Sequence, residues 1–386
     1  MNKLVFAFLA VCFVVFVHDT IAGEVNGRNL KDIISRVSIP AHKYEQPYRT
    51  GYHFQPPSNW MNGTWLGGGG GWGGFRIFIN IFTVTNFFLL FISSIILILI
   101  PIRMILSSGL IFIDPNGPLL YKGVYHIFYQ YNPYAATFGT IVWGHGVSYD
   151  LVNWIHLDPA IYPSHKADIN SCWSGSVTIL PGNVPVMLYT GSDSQSCQVQ
   201  DLAWPKNLSN PFLREWVKYT GNPILTAPEG VKDDCFRDPS TAWRGHDGVC
   251  RMVVGGDRDN NGMAFMYSST DFVNWTRYEY PLTEADATGT WECPDFFPVA
   301  MNGTNGVDTS VYNGNVKHVM KTGFEGIDWY SIGTYTPDYK NFLPQNGLSL
   351  TGSIMDLRVL WAWVPEYDSQ QDDIEKGWAG FQVPYY

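Results

Sequence analysis

Three short stretches place carboxylates where an ordinary surface acid would be out of keeping with its neighbours. Trp291-Glu292-Cys293-Pro294-Asp295-Phe296 sets one between a tryptophan and a Cys-Pro corner. Aromatic surroundings disfavour the ionised form, raise the pKa and make such a group a proton donor. Arg237-Asp238-Pro239 is the opposite case, because an adjacent guanidinium favours the charged aspartate. Asp114-Pro115-Asn116-Gly117 has the composition of a type I turn. Each stretch also has a plain structural reading: a strand-end acid, a surface ion pair, a turn. Together they would supply what glycoside hydrolysis needs, one ionised and one protonated carboxyl across the scissile bond, about 5 Å apart for a retaining reaction.

Residues so far apart in the chain meet only if the fold brings distant segments to one place. The 386 residues are 46% hydrophobic and 16% aromatic, with 15 Trp, 22 Tyr and 23 Phe and only 15% charged residues. That is ample for a large core. It suits a β-rich body with stacking surfaces. From position 114 onward, short apolar-aromatic runs at 124–131, 141–147, 177–180, 186–189, 251–254, 263–267, 316–320 and 329–335 alternate with turn dipeptides. Closely spaced strands with little helical period predict an all-β fold. The sequence Asp-(Leu/Phe)-Val-Asn-Trp occurs twice, at Asp150–Trp154 and Asp271–Trp275. An internal repeat of this kind points to a propeller, whose inner strands converge on one axial pocket.

The net charge of −10 argues against nucleic acid and anionic surfaces as partners. Lys3, the apolar run 4–17 and Thr20-Ile21-Ala22 form a secretory signal over 1–22. Asn207, Asn274 and Asn302 begin N-glycosylation sequons, in keeping with a secreted glycoprotein. Beyond Cys12 there are five cysteines and no CxxC spacing, so neither a zinc site nor a full disulfide framework is indicated. Residues 23–50 are polar and aperiodic, an N-terminal extension. A glycine run at 67–71 then leads to an uncharged apolar run at 77–102, long enough to span a bilayer. The favoured reading is a low-complexity intrusion into a globular domain; a transmembrane helix is the alternative.

Asn59-Trp60-Met61-Asn62, Asp114-Pro115-Asn116-Gly117-Pro118, Phe128-Tyr129-Gln130-Tyr131-Asn132-Pro133, Trp173-Ser174-Gly175, Phe236-Arg237-Asp238-Pro239 and Trp291-Glu292-Cys293-Pro294-Asp295-Phe296 occur in this order. In them the chain resembles plant members of glycoside hydrolase family 32, the cell-wall invertases and fructan exohydrolases. The resemblance covers about 52–62 and 114–380. It implies a five-bladed β-propeller and a double-displacement reaction. Asp114 would attack the anomeric carbon of a terminal fructosyl unit, Glu292 would be the acid/base, and Asp238 would hold sugar hydroxyls and stabilise the transition state. Trp60, Asn62, Gln130, Trp173, Ser174 and Arg237 would line the fructose pocket. No metal or organic cofactor is implied. A monomer, secreted to the cell wall or vacuole, is expected.

Two features favour fructan over sucrose as substrate. The similar invertases carry an Asp and, three residues on, a Lys after the strand matching 316–321. Here the residues are Gly323-Phe324-Glu325-Gly326-Ile327-Asp328. Phe138-Gly139 stands where many invertases have Trp-Gly. The reading is therefore a fructan exohydrolase, with an invertase as alternative.

The chain also departs from the family. The family's Trp-Met-Asn-Asp-Pro-Asn is gapless, whereas residues 63–113 here separate Asn62 from Asp114, as an unspliced intron would. Asp356-Leu357-Arg358 runs straight into Val359-Leu360-Trp361, so the last blade is expected to be incomplete. The propeller domain is assigned to 51–380, interrupted at 63–113, with a short tail at 381–386 and no C-terminal β-sandwich. An inactive or merely sugar-binding product of an aberrant transcript is the competing reading.

Overall fold

Turn residues cut the apolar runs into strands too short to form a core alone, so they pair locally and stack as sheets. The computed structural model describes residues 54–55, 58–62, 116–301, 307, 312–325, 327–336, 338, 341–345, 349–350, 360–364, 371, 374–375, 378–379 and 381–385. The signal segment 1–22, the extension 23–50, the apolar insertion 63–113, Asp114, Asn302 and the side chains of Trp60 and Asn62 lie outside the described residues.

Blade 1 contains β1 (Asn59–Asn62), β2 (Asn116–Tyr121), β3 (Val124–Asn132), β4 (Val142–Ser148) and β5 (Trp154–Ile161). Blade 2 is the meander β6 (Ser171–Leu180), β7 (Val184–Ser192), β8 (Gln198–Pro205) and β9 (Trp216–Lys218). Blade 3 contains β10 (Phe236–Arg237), β11 (Trp243–Arg244), β12 (Cys250–Arg258), β13 (Asn261–Ser269), β14 (Thr276–Arg277) and β15 (Thr283–Ala285). Blade 4 contains β16 (Glu292–Ala300), β17 (Val316–Phe324), β18 (Ile327–Tyr335), β19 (Phe342–Pro344) and β20 (Ser349–Leu350). β21 (Leu360–Val364) pairs only with β23 (Phe381–Tyr385), and β22 (Trp378–Ala379) joins blade 1 parallel to β1.

The arrangement is all-β and propeller-like, but the expectation of five blades is corrected. Among the described residues there are four blades, followed by the two-stranded β21–β23 ribbon. Among the described residues, β21 pairs with β23, and β22 is taken up by the edge of blade 1. The residues expected as a tail, 381–385, are a strand.

Neighbouring blades pack face to face, which buries both faces of the middle strands. Met252 and Val254 of β12 face Val186, Leu188 and Leu202 of blade 2. Val253, between them, faces Trp291, Phe296 and Met320 of blade 4. Phe128 and Trp143 of blade 1 meet Val177, Met187 and Tyr189 of blade 2 in the same way. A strand buried on both sides reads as a continuous apolar run, which is how these strands appear in the sequence.

The Asp-(Leu/Phe)-Val-Asn-Trp repeat has one structure in two blades, between β4 and β5 and between β13 and β14. Asp150 Oδ1 accepts from Val152 N at 2.9 Å and Asn153 N at 2.7 Å. Asp271 Oδ1 accepts from Val273 N at 2.9 Å and Asn274 N at 2.8 Å. These bonds close an aspartate turn that feeds the outer strand.

Candidate active site

In each blade the strand beside the candidate residues breaks register with its neighbour, and blade 1 has a further break at its outer edge, between β4 and β5. In β16, Glu292 lies opposite Gly323 and Asp295 opposite Lys321, three steps on one strand against two on its partner. In β6, Cys172 lies opposite Gly191 and Gly175 opposite Tyr189. In β2, Asn116 lies opposite Phe128 and Leu119 opposite His126. In blade 3, Arg237 lies opposite Gly255 and Trp243 opposite Arg251, six steps against four, with Ser240 N donating to Val253 O at 2.9 Å between them. The excess is one residue in β2, β6 and β16 and two in blade 3; such bulges bend a strand and re-aim side chains beside active sites.

The local sequence explains the bulges. Pro239 and Pro294 have no N–H to give to a ladder, so pairing fails where they stand. The residue before each takes a left-handed backbone, with φ of 64° at Asp238 and 46° at Cys293. Non-glycine residues adopt that region at a cost of about 1–3 kcal/mol, and a residue before proline is restricted further. In β6 the close approach falls on Gly175, where a Cβ would lie 2.1 Å from Leu188 O.

These bulges bring Glu292, Asp238 and Arg237 together. Arg237 Nη2 donates to Glu292 Oε1 at 2.5 Å, and Arg237 Nε stands 3.9 Å from Asp238 Oδ2. Asp238 Oδ2 accepts from Cys293 N at 2.9 Å, with the Cys293 thiol at 3.4 Å. All three side chains are nearly buried. Burial pushes the Asp238 pKa up, opposed by Arg237, by the N–H and S–H of Cys293 and by Lys321. Burial also works against the Arg237 charge, and the carboxylates of Glu292 and Asp238 outweigh it, so its pKa is raised. Glu292 was expected against aromatic surface. Its carboxylate accepts from this guanidinium, and the Trp291 ring packs into the core beside Phe324.

Blade 2 braces this cluster. Gln198 Oε1 accepts from Arg237 Nη1 at 3.1 Å and from Phe236 N at 3.0 Å. Thr190 Oγ1 accepts from Asp238 N at 2.8 Å and donates to Gln200 Oε1 at 3.0 Å. Gln200 Nε2 in turn donates to Phe236 O at 2.9 Å. None of Thr190, Gln198, Gln200, Cys293 and Lys321 was singled out in the sequence reading as a site residue. A signal existed for two of them: Gln198 and Gln200 alternate in a strand that is buried almost throughout, so they share a face that a blade interior would not tolerate without partners.

Between blades 1 and 2, Gln130 Nε2 donates to Ser174 Oγ, and Trp173 O accepts from Trp143 Nε1 at 2.7 Å. Gln130 Oε1 and Asn116 Nδ2 are buried without a hydrogen-bond partner among the described residues. The structure therefore joins Arg237, Asp238 and Glu292 directly and joins Gln130 to Ser174. The backbones of Trp60 and Asn62 run along β3 opposite Asn132 and Gln130.

Comparison with known proteins agrees with this geometry. Residues 109–384 match the glycosyl hydrolases family 32 N-terminal domain. An insoluble beta-fructofuranosidase isoenzyme of Arabidopsis thaliana, CWINV3, is 43% identical over 379 residues, covering 92% of this chain and 55% of its own. The fructan 6-exohydrolase of Beta vulgaris is 39% identical over 364 residues, covering 88% and 52%. The crystal structure of fructan 1-exohydrolase IIa from Cichorium intybus superposes with a TM-score of 0.71 at 65% identity, covering 88% of this chain and 58% of that one. The chain thus spans a little over half the length of these relatives. By the extent of the matching domain, the chain belongs to glycosyl hydrolase family 32.

Proposed function

We propose that this chain carries the site of a retaining β-fructofuranosidase that removes terminal fructosyl units from fructans. The observation that carries the reading is the Arg237 guanidinium set against Glu292 and Asp238, with the Cys293 N–H closing on Asp238. In this reading Glu292 protonates the leaving oxygen and later activates water. Asp238, held by a fixed N–H, grips sugar hydroxyls and is the anion that faces the developing oxocarbenium charge. The unpartnered Gln130 Oε1 and Asn116 Nδ2 are available to hydroxyls of the bound fructosyl ring, and Trp60, Asn62 and Trp173 complete the pocket.

Asp114 is the nucleophile in this reading, and the bulge pattern supports it. Asn62 lies opposite Gln130 and Asn116 opposite Phe128, on one edge of β3. Joined directly, Asn62-Asp114-Pro115-Asn116 would take three steps against two, the same one-residue excess found in β6 and β16. An Asp-Pro pair would then sit in blade 1 as Asp238-Pro239 sits in blade 3. Residues 63–113 are therefore proposed to be an interruption of one edge strand.

Support for fructan over sucrose comes from Phe324-Glu325-Gly326-Ile327, without the invertase lysine, and from the chicory fructan 1-exohydrolase at 65% identity. A variant of that enzyme has been solved with 1-kestose. Sucrose remains the second substrate reading, because relatives at 43% identity are named insoluble beta-fructofuranosidases. Those names and the signal segment support secretion to the cell wall. No helix of the described residues is long and apolar enough to cross a membrane. The test is fructose release from inulin, levan, 1-kestose and sucrose, with Glu292→Gln as control. Release from fructans that exceeds release from sucrose and vanishes in the control is expected. Equal release by the control would overturn the reading, and faster release from sucrose would replace fructan by sucrose.

A further inference from the structure

Lys321 stands on β17 directly behind the bulge that carries the acid/base. Its side chain is 13% exposed. Its Nζ lies 3.4 Å from the carbonyl oxygen of Cys293, at the apex of the bulge, and 3.6 Å from Asp328 Oδ1 on β18. The backbone ladder places Lys321 opposite Asp295 and Tyr330, and Gly323 between Glu292 and Asp328. A Cβ at Gly323 would come within 3.3 Å of Asp328 Oδ1 and 3.9 Å of Glu292 Cβ, so Asp328 is a near neighbour of the acid/base strand.

Among the described residues, this pocket sets the charges of Asp238, Glu292 and Asp328 against those of Arg237 and Lys321; Asp114, the nucleophile of the proposed function, lies outside them. Arg237 is committed elsewhere: Nη2 is on Glu292, and Nη1 is on Gln198 Oε1 and Asp234 O. Its nearest ionic approach to Asp238 is 3.9 Å. The other groups facing Asp238 are Thr190 Oγ1, on its backbone N, and the N–H and S–H of Cys293. Lys321 reaches that carboxylate through one residue: its Nζ is on the Cys293 carbonyl, and the Cys293 N–H is on Asp238 Oδ2.

We propose that Lys321 is a positioning residue, fixing the Cys293 corner from behind and balancing the charge of Asp238. This rests on the reading of the pocket as a fructosyl hydrolase site. A cation placed there serves two ends at once. It holds the strained left-handed corner that aims the Cys293 N–H at Asp238. It also keeps a buried carboxylate anionic without itself touching the sugar. Asp328 anchors the ammonium group and sets how much of its charge reaches Asp238.

The proposal is tested on the full chain by isotope-edited infrared titration of aspartate carboxyls, with Asp238→Asn identifying the Asp238 band. Lys321→Met is expected to raise the Asp238 midpoint by about one pH unit, and Lys321→Arg to hold it within a few tenths. Asp328→Asn removes an anion but leaves the lysine, and is expected to move the midpoint down. The acid limb of kcat/KM on inulin should follow the same shifts. An unmoved midpoint in Lys321→Met, or an upward shift in Asp328→Asn, would show a mere brace between strands and overturn the proposal. If Lys321→Met does not fold, the direction in Asp328→Asn and the position in Lys321→Arg decide. If the unaltered chain releases no fructose, the functional reading fails, while the infrared titration still decides the role of Lys321.

Discussion

In blade 3, β12 and β13 pair residue for residue from Cys250 opposite Ser269 to Arg258 opposite Asn261. On the other edge of the same β12, β10 and β11 part at Asp238-Pro239. The middle strand is apolar on both faces and finds its register by packing, since a one-residue slip would exchange its two buried faces. The edge strand has one ladder only. It can take an extra residue, a proline and a left-handed backbone at a cost of a few kcal/mol, because the regular strands beside it hold the blade together. Stability is thus invested in the middle strands and chemistry in the edges. The same division holds in blade 4, where β17 and β18 pair without a shift and β16 bulges at Glu292.

The largest test of this division is Asp238→Asn. Asparagine keeps an acceptor for the Cys293 N–H and removes the charge. Fructose release should fall by about a thousandfold, the scale seen when a preorganised electrostatic group is lost. The melting temperature should hold or rise, because burial already disfavours that charge: a carboxylate whose folded pKa is raised loses stability as the pH climbs through it. A melting temperature that drops with the activity would place Asp238 in the framework and break the comparison. Met252→Ala should give the mirror result. Met252 is fully buried in the regular β12, so the change should cost about 3–4 kcal/mol of stability. The folded fraction should retain kcat/KM.

Next in size is deletion of residues 63–113, joining Asn62 to Asp114. If β1 and β2 are halves of one edge strand, the joined chain gains at Asp114-Pro115 a one-residue bulge like those of β6 and β16, beside the one already in β2. Fructose release should rise by about a hundredfold, the cost of placing a reacting group roughly 1 Å out of position. Equal or lower activity in the joined chain would mean that blade 1 does not follow the pattern of blades 2 to 4.

The regular strands were legible in the sequence because burial on both faces writes them as apolar runs between turn residues. The runs at 251–254 and 263–267 fall inside β12 and β13, and the repeated aspartate turn marked two blades. Of the three carboxylate motifs, two meet in the structure, at Arg237-Asp238 and Glu292, while Asp114 lies outside the described residues. The bulges were not, although their trace is there: Asp238-Pro239 and Cys293-Pro294 are proline pairs inside strands, which read locally as turns. Gln198, Thr190 and Lys321 were hidden for a different reason. Their roles depend on which blade lies alongside, and no local period encodes that. The blade count was misjudged because β22 contributes to blade 1 across the whole length of the chain, a pairing that sequence order does not suggest.

The smallest expected effect concerns a polar pair within the regular region. His126 and His145, on β3 and β4, are both buried, with His126 Nδ1 and His145 Nε2 3.0 Å apart and His126 Nε2 3.0 Å from Pro211 O. A single neutral arrangement satisfies the chain: His126 donates from Nε2 to the Pro211 carbonyl and accepts at Nδ1 from His145. An added proton on His126 would put two N–H groups face to face, and burial lowers its pKa to about 4. The unfolded chain takes up that proton near pH 6.5. Between the two values the unfolded state binds more protons, so stability is complete above pH 6.5 and falls as the pH drops toward 4. From pH 7 to pH 5 the loss from this group should be about 2 kcal/mol, measured by urea unfolding. His126→Gln should remove its own share of the acid loss measured for the whole chain, with His145 and His318, whose pKa values burial also lowers, supplying the rest, while leaving the relative activity on fructans and sucrose unchanged. An unaltered slope would move the acid sensitivity away from the regular strands and toward the carboxylates of the edges.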